Sequence, residues 1–173
     1  MAGSYSFFKD DVAKYLKEKF DKNATILDVG AGNGSYYNYL GDYFDNMEAV
    51  EVFEPNIKEY ELESKYKKVY NMNIKDFEYD YYNIIIFGDI LEHLTVEDAQ
   101  RVLDYALDRC DEVIVAVPYM YEQGEIYGNK YEIHLQPDLT KENMLERYPR
   151  LKLLCGCDAY AYYIKKENVW DLV

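Results

Sequence analysis

The sequence predicts an α/β fold, a doubly wound and mostly parallel seven-stranded sheet whose last strand is antiparallel. Three observations carry that prediction. Helical and strand-like segments alternate without a linker, repeat or low-complexity tract between them, as in a parallel sheet with crossover helices. "YYNIIIF", residues 81–87, is apolar almost without interruption, and a strand apolar on both faces belongs in the middle of a covered sheet. "ILDVGAGNGSY", residues 26–36, runs from an apolar strand-like stretch into three glycines spaced by two, so main chain there is cleared of side chains.

Residues 6–20 place Phe8, Val12, Tyr15, Leu16 and Phe20 on one face of a helix. Strands are expected at 25–29, 48–53, 68–71, 82–87 and 112–117. Before the last of these, "TVEDAQRVLDYALDRC" offers Thr95 as N-cap, Glu97 and Asp98 in the first turn, and Val102, Leu103, Ala106 and Leu107 on one face. After Pro118 a long connection containing tyrosine and glycine reaches about Leu139, and a short helix follows, ending near Pro149. The tail "LKLLCGCDAYAYYIKK" supplies two strands about Asp158, close enough to pair antiparallel.

At 173 residues the chain is expected to form one domain, 1–173, with an N-terminal helix at about 6–20 and a core over 24–166. Hydrophobic residues make up 49% and charged residues 30%, which excludes a disordered polyelectrolyte. "MAGSYSFFKDDVAKYL" lacks a basic region followed by an apolar one, and no run approaches the ~20 apolar residues of a membrane span. Three cysteines make no disulfide framework, so a cytoplasmic setting is expected. Cys155 and Cys157 resemble half a zinc site but have no second pair at proper spacing, and buried strand packing is the simpler expectation. The formal charge of -14, from 33 acidic and 19 basic residues, repels phosphodiester backbones and argues against a nucleic-acid partner. The 21 tyrosines fit ordinary core and rim positions.

The glycine stretch sets the chemistry. A strand followed by Gly30, Gly32 and Gly34 and then a helical segment brings free backbone N–H groups to the crevice beyond the strand ends. The spacing lacks the extra residue of the dinucleotide fingerprint G-x-G-x-x-G, and no Lys-Ser or Lys-Thr pair follows as in a phosphate loop. About 20 residues past the last glycine, "VFEPN" puts Glu54 at the tip of the next strand, where a carboxylate can accept hydrogen bonds from both ribose hydroxyls. A nucleoside without a large phosphate load fits these features.

"ILDVGAGNG", "VFEPN", "NMNIKDF", "IIIFGDILEHL" and "VIVAVP", in this order, resemble the successive motifs of class I S-adenosylmethionine-dependent methyltransferases over about residues 24–166. The resemblance implies the Rossmann-like form of the fold and S-adenosylmethionine as cofactor, with S-adenosylhomocysteine as product. It places Asp28, Gly30, Ala31, Gly32 and Asn33 against the methionine part, Glu54 with Pro55 at the ribose, and Asn73 with Ile74 beside the adenine. Asn73 departs from the family's usual Asp, although its amide oxygen still accepts a hydrogen bond. Gly88 and Asp89 fall where the family's backbone faces the reacting methyl group.

The chain has two histidines, His93 in "GDILEHL" and His134 in "GNKYEIHLQ", each after a strand end that faces the same crevice. With Glu92 they are the expected catalytic residues, a histidine acting as base toward an acceptor hydroxyl, and the structural alternative is that "LEHL" is a turn after the strand in which Glu92 and His93 stabilise loops. Asp89, Glu92, His93 and His134 also make an O,O,N,N set of metal ligands, similar to the E-x-x-E-H plus His of metal-dependent small-RNA 2'-O-methyltransferases and some quinone O-methyltransferases, with Asp in place of the first Glu. A divalent metal is the less favoured expectation, because carboxylates and histidines meet by chance in so acidic a chain. The expected activity is methyl transfer to a small-molecule, sugar-like or glycan-precursor acceptor, at oxygen, by a monomer or homodimer. The alternatives are a nucleoside-binding module without catalysis, a partner subunit of another methyltransferase, and a metal-dependent RNA 2'-O-methyltransferase.

Overall fold

The computed structural model describes residues 5–167. The ends of the expected domain, 1–4 and 168–173, lie outside the described residues. Helix α1 (Lys9–Lys19) is followed by β1 (Thr25–Val29), α2 (Ser35–Leu40), β2 (Asn46–Val50), α3 (Glu54–Glu59), α4 (Leu62–Lys65) and β3 (Lys68–Tyr70). Then come β4 (Tyr82–Gly88), α5 (Val96–Leu107), β5 (Cys110–Pro118), α6 (Lys141–Arg147), β6 (Leu151–Gly156) and β7 (Tyr160–Lys165). The seven strands form one sheet in the order β3-β2-β1-β4-β5-β7-β6. The β1–β2, β2–β3, β1–β4 and β4–β5 pairs are parallel, and β7 pairs antiparallel with both β5 and β6. The reversed strand is therefore the last in sequence, inserted between β5 and β6 instead of lying on the edge.

The central position of β4 follows from its sequence. Ile84 and Ile86 enter one core with Val12 and Leu16 of α1, while Ile85 and Phe87 enter the other with Val102, Leu103 and Ala106 of α5. That is the two-residue period of a strand buried on both sides. Helix α5 is capped as its sequence suggests, the Thr95 hydroxyl accepting from the Asp98 N–H at 3.2 Å. Tyr160, Tyr162 and Tyr163 are fully buried, so much of the tyrosine content is core. Cys155 is half-buried and Cys157 exposed, which corrects the expectation that both pack inside.

Helix α1 begins at Lys9 because Phe8 takes a left-handed conformation, φ 57. A larger correction concerns β2, which ends at Val50 and not at 53. Glu51 accepts the Phe53 N–H on its own carboxylate at 2.8 Å, turning the chain out of the sheet, and Pro55 sits in the first turn of α3. Strand order reverses between β1 and β4, which opens a crevice beyond their carboxyl ends.

Candidate functional site

A cavity of ≈ 390 Å³ occupies that crevice, within the size range of small-ligand pockets. Its floor is the loop after β1. Gly30 and Gly32 have φ of 67 and 53, left-handed values that side chains rarely adopt. The Gly30 N–H donates to Val50 O at 2.7 Å, the Gly32 N–H to Glu51 Oε2 at 2.8 Å and the Gly34 N–H to Ala31 O at 2.7 Å, which corrects the expectation of free N–H groups in this loop. Gly30, Ala31 and Gly32 line the cavity. Asp28 and Asn33 do not line it. The Asp28 carboxylate lies buried, accepting the Tyr66 hydroxyl at 2.5 Å. Burial pushes it up to about 6, against the pull of the Tyr66 hydrogen bond and of Lys9. Asp28 therefore supports the loop from below.

The acid on the cavity wall is Glu51, not Glu54. Glu51 is buried, lines the cavity, and holds Gly32 and Phe53 with one carboxylate oxygen each, leaving lone pairs on both for a ligand. Burial raises it, and the backbone donors of Phe53 and Gly32 oppose the rise. Glu54 opens α3 with its side chain 60% exposed and paired to Lys58 at 2.6 Å. Glu54 and the exposed Pro55 both lie away from the cavity lining. The signal for Glu51 was its place directly after the apolar end of "MEAV".

Asn73 and Ile74 line the cavity together. Asn73 Oδ1 accepts from the Lys75 N–H at 3.0 Å and caps the 3-10 turn Ile74–Asp76, which fixes the pair relative to the sheet. Gly88 and Asp89 line it from the end of β4. A Cβ on Gly88 would stand 2.1 Å from the Tyr36 ring, so glycine is required there. Asp89 has φ 57, donates its N–H to Ala116 O at 3.0 Å, and accepts the Tyr160 hydroxyl at 2.9 Å.

Glu92, His93 and His134 line the same cavity. The turn Leu91–His93 meets the connection after β5 through a set of hydrogen bonds invisible in the sequence. The Leu135 and Gln136 N–H groups donate to Glu92 O at 2.8 and 3.0 Å. The Gln136 amide donates to Leu91 O and Leu94 O at 2.8 and 3.0 Å. The two imidazoles stand edge to face with centroids 4.7 Å apart. His93 Nδ1 lies 3.3 Å from Ile133 O and His134 Nδ1 lies 2.7 Å from Tyr121 O. A carbonyl only accepts, so each Nδ1 carries the proton and each Nε2 keeps its lone pair. Burial, then the neighbouring His134, lowers His93 to about 4, and burial lowers His134 as well. The Glu92 carboxyl is raised well above its ordinary range by burial and then by Asp89. Neither of its oxygens has a hydrogen-bond partner among the described residues. Of the four residues expected as a ligand set, three come together: one donor atom each from Glu92, His93 and His134 lies within 4.8 Å of the others. Asp89 stands outside that group and is turned to Tyr160.

The family model described as a methyltransferase domain matches residues 4–112. Among solved structures, an S-adenosylmethionine-dependent methyltransferase from Clostridium acetobutylicum is similar at a TM-score of 0.70 and 13% identity, covering 94% of this chain and 92% of that one. Magnesium protoporphyrin IX methyltransferase from Synechocystis, with S-adenosylmethionine bound, matches at 0.65 and 12%, covering 96% and 87%. An amino pentose methyltransferase from Micromonospora echinaspora, also with S-adenosylmethionine bound, matches at 0.67 and 11%, covering 91% and 90%. At these identities the likeness is one of fold. No helix among the described residues is long and apolar enough to cross a membrane.

Proposed function

Because the chain belongs to the methyltransferase-domain family, we propose that it transfers a methyl group from S-adenosylmethionine to a hydroxyl of a small-molecule or sugar-like acceptor. The observation that carries this reading is the continuity of one cavity from the glycine loop and Glu51 to the two histidines. The residues fit the cofactor: Gly30, Ala31 and Gly32 line the cavity, and the buried Glu51 carboxylate keeps acceptor capacity on its wall. When bound, S-adenosylmethionine supplies a methyl carbon on a sulfonium, open to in-line displacement by an oxygen.

Each residue then has a defined task. Gly30, Ala31 and Gly32 admit the amino-acid part against the backbone, Glu51 accepts from the ribose hydroxyls, and Asn73 and Ile74 flank the base. Gly88 and Asp89 border the reacting end, and the acceptor is aligned there. Its hydroxyl proton leaves at the end of the cavity formed by Glu92, His93 and His134, whose imidazoles are held neutral at pH 7 by burial. Two features support a small acceptor: the enclosing connection after β5, which contributes Tyr121, Ile126 and Tyr131 to the lining, and the amino pentose substrate class of one similar structure. The charge of -14 weighs against RNA.

Incubation with methyl-labelled S-adenosylmethionine and a panel of hydroxylated metabolites, sugars and sugar nucleotides tests the reading. The expected result is label in one acceptor with S-adenosylhomocysteine formed in equal amount. Tight S-adenosylhomocysteine binding with no transfer to any hydroxyl compound would favour a nucleoside-binding module without catalysis.

A further inference from the structure

Resting on the methyl-transfer reading, we propose that Glu92, His93 and His134 hold a divalent transition-metal ion that binds the acceptor oxygen. Three independent observations meet here. The donor atoms of the three side chains lie within 4.8 Å of one another although His134 is 41 residues beyond His93. Glu92 is buried to 1% exposure and both its carboxyl oxygens are without a hydrogen-bond partner among the described residues. Burying a carboxyl in that state is costly, and a cation at the same spot removes the cost. Each imidazole has its Nδ1 on a backbone carbonyl, which fixes the tautomer that presents Nε2, the arrangement typical of metal-bound histidines.

A general base alone explains less. It needs one imidazole, gives Glu92 no partner, and leaves the second histidine without a task. The scaffold also suits a rigid ligand set, since Glu92 O takes two N–H groups from the segment that carries His134. Two imidazole nitrogens and one carboxylate oxygen select zinc, manganese, iron or cobalt over magnesium and calcium, which prefer oxygen cages. Three protein ligands leave positions open for substrate. Tetrahedral bonds of about 2.1 Å put ligand atoms about 3.4 Å apart, so donors that stand within 4.8 Å of one another in the structure draw together on the ion.

The chemistry balances without a further reactant. A hydroxyl on the ion ionises more readily and its proton passes to solvent. The oxygen forms the bond to the methyl carbon as the carbon–sulfur bond breaks, its electron pair going to sulfur.

The test is titration of chelator-stripped protein with Co²⁺ and Zn²⁺ by calorimetry, with the visible absorption of Co²⁺ as a second readout. One ion per chain is expected, with cobalt d–d bands and no thiolate charge transfer. Glu92→Gln, which keeps the side-chain shape, and His134→Ala, in a half-buried loop position, should each weaken the ion by at least about 100-fold, the upper end of the loss from a supporting group alone. S-adenosylhomocysteine affinity should stay within about twofold in both variants, because the nucleoside lies at the other end of the cavity. No ion uptake by protein that binds S-adenosylhomocysteine would overturn the proposal. So would a thiolate band, which assigns the ion to Cys155 and Cys157, or unchanged affinity in both variants. Ion uptake without S-adenosylhomocysteine binding would instead sustain the metal site and defeat the methyl-transfer reading.

Discussion

Glu51→Ala is expected to weaken S-adenosylhomocysteine binding by about 2–3 kcal/mol, the worth of hydrogen bonds to a charged acceptor in a buried site. Glu51 is the buried carboxylate on the cavity wall, and its oxygens hold Gly32 and Phe53. The alanine variant loses both the proposed ribose acceptor and the tether of the glycine loop. Glu51→Gln separates the two, since its amide oxygen can keep one backbone donor while the charge is gone. Glu54→Ala should change affinity by no more than about twofold, as its exposed pair with Lys58 is a surface contact. Calorimetry on the three variants decides the matter. Loss of affinity in Glu54→Ala with none in Glu51→Ala would return the ribose role to Glu54.

Gly32→Val should remove cofactor binding altogether while the chain stays folded. At φ 53 a β-branched residue is strained, by roughly 1–2 kcal/mol for the left-handed conformation. That is small against the ~5–15 kcal/mol of a typical domain. Binding pays far more: Gly32 lines the cavity, its N–H holds Glu51, and any shift that relieves the strain moves the floor on which the ligand rests. Far-UV circular dichroism like that of the parent, together with no calorimetric response to S-adenosylhomocysteine, is the expected pair of results. Intact binding would remove the loop from the site.

Much of this arrangement was legible in the sequence because it is local or periodic. The unbroken apolar run of β4 put it in the sheet centre, the 3.6-residue spacing and Thr95 defined α5, and the glycines marked the crevice. Glu51 was missed for a physical reason. The apolar residues Val52 and Phe53 continue past the last paired residue, so the strand reads as running to Phe53 and the acid at its tip reads as Glu54. The carboxylate bond to Phe53 N–H turns the chain away before that point. The meeting of His93 and His134 was inferred from strand ends, but the Gln136 bonds and paired Nδ1 contacts that fix their geometry are long-range and leave no trace in spacing. The departure of Asp89 from that group depends on Tyr160, 71 residues away.

The most direct measurement is a crystal structure of the protein with S-adenosylhomocysteine. The account predicts the ribose hydroxyls on the Glu51 carboxylate, the adenine beside Asn73 and Ile74, and the sulfur directed toward Asp89 and the Glu92–His93–His134 end. A ligand bound outside this cavity, or lying in it with its adenine against the histidines, would contradict it.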